Sequence, residues 1–145
     1  MAGFIVASGK QSREELEAAF GKIRHRGSHA DGILERRGLI MAQNYLRADG
    51  VPANGSLEIP VPSSSDGNWK ICYDGQIGNW GNLAQIHGIP HGPFREERLA
   101  LHLYHQFGRS MFEYLTDAVF AFVISDGRDL FAARDLLGIK TLYYG

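Results

Sequence analysis

The sequence predicts an α+β domain built on antiparallel sheets. The chain has 145 residues, which suits one globular domain. Its predicted strands and helices come in groups and do not alternate one for one, as they would in a doubly wound parallel sheet. The turn sequence Asp126-Gly127-Arg128 stands between two predicted strands, which is typical of a hairpin and therefore of antiparallel pairing.

The first third of the chain predicts a strand, a helix and a pair of strands. The N-terminal strand is apolar throughout, so we expect it to be covered on both faces. Ser12 and Glu15 have the spacing of a capping box, and apolar residues recur behind them at helical spacing. The elements predicted here are a strand at 3–8, a helix at 12–23, and strands at 33–37 and 39–42 that turn at Gly38.

The rest of the chain begins with residues 49–68, which are rich in Gly, Pro and Ser and predict a surface excursion within one domain. Asp74-Gly75 is predicted to end the strand before it in a turn. Gly108 is predicted to stop a long amphipathic helix, and Ser110 to cap a shorter one. The elements predicted here are helices at 80–86, 94–107 and 110–115, and strands at 69–73, 119–124, 130–134 and 141–144.

Composition excludes several classes of function. The net charge is −1, from 15 basic and 16 acidic residues, so no nucleic acid or anionic membrane partner is expected. No apolar run approaches the roughly 20 residues of a membrane span. The single cysteine, Cys72, cannot form an internal disulfide, which fits a reducing, cytoplasmic location. We expect Cys72 to be an inert residue buried in a strand.

Four segments in order resemble one family, the class II, N-terminal-nucleophile glutamine amidotransferases. The last of them most resembles asparagine synthetases and β-lactam-synthetase-like relatives. Together the segments cover almost the whole chain, so the resemblance extends to one domain at residues 1–145. The segments are Met1-Ala2-Gly3-Phe4, Arg24-His25-Arg26-Gly27, Asp74-Gly75-Gln76-Ile77-Gly78-Asn79, and the closing run from Ala133 to Gly145.

The resemblance implies a four-layer αββα sandwich of two antiparallel sheets, as in Ntn hydrolases. It also implies that the domain is the N-terminal part of a longer synthetase and serves a separate ATP-dependent synthetase domain or subunit. The sequence contains no Ser-Gly-Gly-x-Asp-Ser phosphate loop. No cofactor or metal is therefore expected in this domain, and ATP and Mg are expected only in the partner.

The catalytic positions implied by the family are altered in this chain. The nucleophile position holds Ala2 where the family has cysteine, and a methyl group cannot attack a carbonyl. The oxyanion-hole positions are Asp74, in place of asparagine, and Gly75. A carboxylate repels a developing oxyanion, and losing one donor there costs on the order of 100- to 1000-fold in rate.

The substrate-binding positions are altered as well. The family arginine that clamps the glutamine carboxylate corresponds to Tyr45, with Arg47 two residues further on. Gln76 replaces a glutamate, and Glu96 replaces an aspartate near the second long helix. The residues that the family implies as pocket-shaping are Arg24, His25, Arg26 and Gly27.

Three alternative hypotheses about the function follow from these residues. The first is a degenerate glutaminase domain with a structural or regulatory role beside an amide-forming synthetase. The second is an active, ammonia-donating domain captured as a Cys-to-Ala variant, with L-glutamine as ligand only if the pocket is intact. The third is a ligand- or protein-binding module on the same fold, in which Asp74 and Glu96 favour an amine-bearing ligand.

Other polar motifs favour structural interpretations. Arg24-His25-Arg26 is too short for a nucleic-acid patch. His87 and His91 lie four residues apart in a predicted loop, which is weak support for a metal site. Arg134 and Asp135 predict a structural ion pair.

Overall fold

The computed structural model describes residues 2–9, 11–27, 30–45, 64 and 66–145. None of the helices in these ranges is long and apolar enough to cross a bilayer. Short 3₁₀ turns follow α1 at Arg24–Arg26 and α3 at Gly108–Glu113. The main elements are β1 (Ala2–Ser8), α1 (Arg13–Ile23), β2 (Ala30–Arg36), β3 (Leu39–Tyr45), β4 (Lys70–Ile77), α2 (Trp80–His87), α3 (Arg95–Phe107), β5 (Ala118–Ser125) and β6 (Leu130–Arg134).

The six strands of the described ranges form two antiparallel three-stranded sheets. Sheet A has the order β1-β3-β2, and sheet B has the order β4-β5-β6. In sheet A, Ala2 of β1 lies opposite Tyr45 at the end of β3. In sheet B, Asp74 of β4 lies opposite Ala121 of β5. The register therefore brings the start of β1 and the end of β3 to the same end of sheet A.

Helix α1 covers the outer face of sheet A. Ser12 caps it as predicted, because its hydroxyl accepts from the Glu15 N–H and the Glu15 carboxylate accepts from the Ser12 N–H. Leu16 and Phe20 are buried on β3, where they pack with Ile40 and Ala42. This apolar face fixes the helix on the sheet.

The face of β3 that α1 does not cover packs against β4, and this contact joins the two sheets. Met41 and Cys72 meet in an apolar cluster between the sheets. The buried Gln43 amide donates to the Tyr73 carbonyl over 2.6 Å and accepts from the Tyr73 N–H over 2.9 Å. Tyr73 lies on an edge strand of sheet B. This pair of bonds therefore satisfies backbone groups that have no partner on a neighbouring strand in the described ranges.

Helices α2 and α3 cover the other face of sheet B. Ile71 and Phe122 pack with Leu99 and Leu103 of α3 in the largest core cluster. Helix α3 ends as predicted at Gly108, whose φ is 56°. The layers therefore run from α1 through sheets A and B to α2 and α3, which confirms the α+β, αββα architecture.

The turn predicted at Asp74-Gly75 is wrong, because β4 continues to Ile77. A Cβ on residue 75 would lie 2.5 Å from the Val119 carbonyl oxygen and 2.9 Å from the Phe120 Cα. Glycine at this position therefore allows close approach of β5 and does not mark a turn.

Two other predicted elements differ from the structure. Residues 141–144 join neither sheet, and Tyr143 and Tyr144 are exposed. Aromatic β formers do not make a strand without a neighbouring strand to pair with. The short helix predicted at 110–115 is the 3₁₀ turn Gly108–Glu113, in which Ser110 is not the capping residue.

Candidate active site

The candidate site lies at one end of the space between the sheets. Ala2 and Asp74 are both buried there, with 7% and 5% of their surfaces exposed. The Ala2 N–H donates to Asp74 Oδ1 over 3.0 Å. This bond joins the first strand of sheet A to the edge strand of sheet B.

Asp74 also binds two cations. Lys140 Nζ donates to Asp74 Oδ1 over 3.1 Å, and Arg26 Nη2 donates to Asp74 Oδ2 over 3.2 Å. The Lys140 side chain is 21% exposed and the Arg26 side chain 36% exposed, so both pairs are partly screened by solvent. We call Ala2, Arg26, Asp74 and Lys140 the Asp74 cluster. Its two cations outnumber its one carboxylate.

Asn44 holds the Arg24–Arg26 turn against β1. Its Oδ1 accepts from the Gly3 N–H over 2.7 Å, and its amide donates to the Ile23 carbonyl over 2.9 Å. Gly27 packs directly on it, since a Cβ there would lie 2.6 Å from both Asn44 Oδ1 and the Tyr45 nitrogen. A glycine at position 27 therefore lets the turn bring Arg26 to the site.

Tyr45 forms an aromatic wall of the site. Its ring centroid lies 5.2 Å from that of Phe94, at an interplanar angle of 59°. The Tyr45 hydroxyl is buried and has no hydrogen-bond partner among the described residues. Burial raises the pKa of this phenol, and the Glu97 carboxylate raises it further. Tyr45 is therefore neutral and cannot clamp a carboxylate as an arginine would.

Two acids stand at the start of α3. Burial raises the pKa of Glu96, although the Ile77 N–H partly opposes this shift. Burial raises the pKa of Glu97 to about 7, and the neighbouring Glu96 carboxylate adds to the effect. Near neutral pH, Glu97 is therefore partly protonated.

The structure brings only some of the sequence-predicted residues together. Ala2, Asp74, Arg26 and the glycine at 27 converge with Tyr45 at the inter-sheet end, whereas Gln76 is exposed. Arg24 and His25 are exposed on the 3₁₀ turn, and His25 Nδ1 lies 3.1 Å from the Lys22 carbonyl oxygen. Arg47 and Met1 lie outside the described residues.

Four residues in or beside the site have no motif that predicts them: Lys140, Asn44, Gln43 and Glu97. Lys140 lies 66 residues from Asp74, so no local spacing relates them. The one available signal for Asn44 and Gln43 was two polar residues at the end of an otherwise apolar strand, where buried amides must find partners.

Several structural interpretations from the sequence are settled by the side-chain contacts. Cys72 is buried in β4, which confirms its predicted place inside a strand, and burial raises the pKa of its thiol and so disfavours the reactive thiolate. The predicted Arg134–Asp135 ion pair is wrong. Within residues 118–140, the Asp135 carboxylate instead accepts from the N–H groups of Phe120, Ile139 and Lys140 over 3.3, 2.9 and 2.9 Å. These bonds lower the pKa of Asp135 against the opposing effect of burial.

Of the two histidines predicted in a loop, His87 is the last residue of α2, whereas His91 does lie in the loop between α2 and α3. The ring of His87 contacts that of His102 at 5.2 Å, and His91 contacts Trp80 at 4.7 Å. In the ranges that the structure describes, no three His, Cys, Asp or Glu side chains are close enough to hold a metal ion.

The arrangement offers structural ion pairing and lacks a nucleophile at Ala2. Asp74 already binds a backbone N–H and two cations, so it has little capacity to attract an amine. This contradicts the expectation that Asp74 would favour an amine-bearing ligand. An ionised carboxylate also only accepts hydrogen bonds and cannot donate one to an oxyanion.

The fold and these positions define a class of protein. A family model described as a glutamine amidotransferase domain matches residues 1–145. The chain therefore belongs to the glutamine amidotransferase domain family.

The relatives place it more narrowly beside asparagine synthetases. The chain is 32% identical to an asparagine synthetase (glutamine-hydrolysing) from Triphysaria versicolor, over 86% of this chain and 21% of that protein. It is 30% identical to asparagine synthetase 1 from Saccharomyces cerevisiae, over 86% of this chain and 21% of that protein. With the enzyme from Gallus gallus it shares 33% identity over 50% of this chain and 13% of that protein. The chain is an asparagine-synthetase-like glutamine amidotransferase domain and spans about a fifth of the length of two of these relatives.

Proposed function

We propose that this is a degenerate glutaminase domain, which does not hydrolyse glutamine and has a structural or regulatory role beside an ATP-dependent amide-forming synthetase domain. The observation that carries the proposal is the Asp74 cluster. It replaces the thiol and the oxyanion donor with a methyl group and a buried carboxylate that is already bound by three donors.

The cluster supports a structural role through its connections. Asp74 ties β1, the Arg24–Arg26 turn and the segment after β6 to β4. Removing a carboxylate that binds groups from three other parts of the chain would leave those groups unpaired, which gives Asp74 a structural role that needs no catalysis. The synthetase partner is proposed because the matched relatives are named asparagine synthetases and are about five times longer than the matched region.

Ammonia release from L-glutamine tests the catalytic half of the proposal. The samples are the native chain and the variants Ala2→Cys and Asp74→Asn, each with its N-terminus checked by mass spectrometry. We expect no ammonia above background from the native chain, Asp74→Asn or Ala2→Cys. Ammonia release by a folded Ala2→Cys chain would overturn degeneracy of the pocket and identify a glutaminase that lacks only its thiol.

Titration calorimetry of the native chain with L-glutamine gives an independent test. We expect no binding at millimolar concentration, because neutral Tyr45 replaces the carboxylate clamp. Clear binding would contradict the degenerate pocket even if no ammonia is released.

The partner half of the proposal is tested with the proposed synthetase domain, expressed on its own. Size-exclusion chromatography of the separately expressed parts should show a complex. Two parts that elute separately at micromolar concentration would count against a structural role beside that domain.

A further inference from the structure

Helices α2 and α3 meet through two histidine rings. His87 is the last residue of α2 and His102 lies in the middle of α3, and their ring centroids are 5.2 Å apart at an interplanar angle of 62°. The His87 ring also contacts the rings of Phe107 at 5.9 Å and Tyr114 at 6.0 Å. Phe107 and Tyr114 bring no charge to this contact, and Glu113, beside Tyr114, is exposed. The contact is therefore aromatic.

One nitrogen of each imidazole is buried without a partner. His87 Nε2 and His102 Nε2 have no hydrogen-bond partner among the described residues. A neutral imidazole tolerates such a place when Nε2 is its unprotonated nitrogen, because only a lone pair is then unpaired. An imidazolium carries a proton on both nitrogens, so protonation would bury a charged donor that has no acceptor. Burial of such a donor is strongly unfavourable.

The basic groups of α3 also oppose protonation. Arg98 and His105 lie four residues before and three residues after His102, which places all three on one face of the helix. Burial lowers the pKa of His102, and His87 and His105 lower it further, against a smaller opposing effect of a hydrogen bond with Gln106. His102 is therefore neutral near pH 7.

Two neighbouring features attract positive charge but pair neither buried nitrogen. The C-terminal end of α2 favours a positive charge on His87 through the helix dipole. The Asp66 carboxylate shares a cavity with His102 and His105, and its charge acts on His105. In the described part of the chain, both Nε2 atoms remain without an acceptor. A proton on either ring is therefore better accommodated when the ring can reach water.

We propose that the contact between α2 and α3 is a pH-sensitive latch, which is closed while His87 and His102 are both neutral. Protonation of either ring separates the end of α2 from α3, because water then hydrates the imidazolium. Phe107 and Tyr114 pack against the largest core cluster, so the open latch uncovers one margin of that core. The latch involves none of the residues of the Asp74 cluster and does not depend on the proposed function.

NMR of the native chain from pH 7.5 to 4.5 tests the latch directly. The ring signals of His87 and His102 report protonation, and the nuclear Overhauser contact between the two rings reports closure. We expect this contact to be lost in the same pH range in which either ring takes up its proton. The contact between Trp69 and Tyr104, whose centroids lie 5.4 Å apart, should persist there. A histidine contact that survives protonation, or loss of both contacts together, would overturn the proposal.

Substitution by phenylalanine keeps a ring and removes its titration. The unfolded chain takes up the proton at the ordinary histidine pKa of about 6.5, whereas the closed latch resists it, so stability falls as pH decreases below that value. Between pH 7.5 and 5.5, the unfolding constant of the native chain in urea should rise about tenfold more than that of His102→Phe. Glu97 is present in both chains, so its slope of opposite sign cancels in this difference.

His25→Phe is the matched control. His25 is exposed on the Arg24–Arg26 turn, so this variant should keep the pH dependence of the native chain. His87→Phe, at the end of α2, gives the same comparison if His102→Phe does not fold. Equal pH dependence of unfolding in the native chain and in either latch variant would contradict the proposal.

Discussion

The Asp74 cluster and the face of α3 that carries Arg98 and His102 differ in whether their buried polar groups have partners. Asp74 is bound by the Ala2 N–H, Arg26 and Lys140. On α3, Arg98 Nε and His102 Nε2 are buried and lack partners within the described residues. Removing a carboxylate that satisfies several donors leaves those donors unpaired, whereas a buried donor that already lacks an acceptor has no such bond to lose.

The two regions also differ in whether the family motifs indicate their positions. Ala2 and Asp74 stand at positions that the sequence resemblance assigns to the family's chemistry, and they are bonded to each other. The two α3 nitrogens occupy no position that the family motifs indicate, and they are buried without partners in the described residues. Substitutions in the first region should therefore change folding stability more than substitutions in the second.

The largest effect is expected for Gly27→Ala, which pushes the turn away from the Asp74 cluster. The added Cβ would meet Asn44 Oδ1 and the Tyr45 nitrogen at 2.6 Å, and backbone cannot move aside cheaply. We expect a loss of about 3 kcal/mol in the free energy of unfolding, measured in urea. Gly21→Ala is the matched control. Nothing lies within 4 Å of its Cβ, so a gain of about 0.5–1 kcal/mol is expected in α1. Similar losses for the two variants would contradict the close-packing argument.

Asp74→Ala should have the next largest effect. It leaves the Ala2 N–H without its acceptor and Arg26 and Lys140 without their carboxylate. Because both cations are partly exposed, we expect a loss of about 2 kcal/mol, at the low end for a disrupted ion pair. Chemical denaturation of Asp74→Ala beside Asp129→Ala, an exposed control, measures it. A loss no larger than that of the control would show that the cluster does not stabilise the fold.

The third effect in size concerns Glu97, a carboxyl group whose pKa burial raises to about 7. Between about pH 4.5 and 7 the unfolded chain releases this proton while the folded chain retains it. Stability should therefore fall as pH rises through this window and level off above it. Glu97→Gln should remove most of that slope and be about 1 kcal/mol more stable at pH 8, a value reduced because Glu97 is only half-buried.

Thermal unfolding of native and Glu97→Gln chains from pH 4 to 9 measures this difference. Glu96 retains a smaller slope of the same sign, since burial raises its pKa too. Identical pH profiles for the two chains would show that Glu97 does not take up a proton in this pH range.

The smallest change in stability is expected for Arg98→Met. It removes a bond to the Pro93 carbonyl but also removes a buried donor without an acceptor. We expect the free energy of unfolding to change by less than about 0.5 kcal/mol. A loss as large as that of Asp74→Ala would show that Arg98 is bound within the chain and would remove the basis of the comparison.

Local sequence determined much of the fold. The capping box at Ser12, the stop at Gly108 and the Asp126 turn each depend on residues a few positions apart. Their energies are formed within one helix or one hairpin, so a local pattern predicts them. The lack of a thiol at residue 2 is likewise a property of sequence alone.

Local pattern failed where a distant strand determines the conformation. Asp74-Gly75 has the composition of a turn but lies inside β4, since β5 pairs with it along its length. Residues 141–144 have the composition of a strand but join neither sheet in the described ranges. In both cases the presence or absence of a pairing partner outweighs propensity.

The sequence by itself thus determined the class of fold, the caps of the first and third helices and the missing nucleophile. The tertiary structure alone decided what Asp74 binds. Lys140 and Arg26 lie 66 and 48 residues away, and only packing of the two sheets brings them within 3.2 Å of its carboxylate. Contacts between residues so far apart have no local signature, because their geometry exists only after the chain has folded.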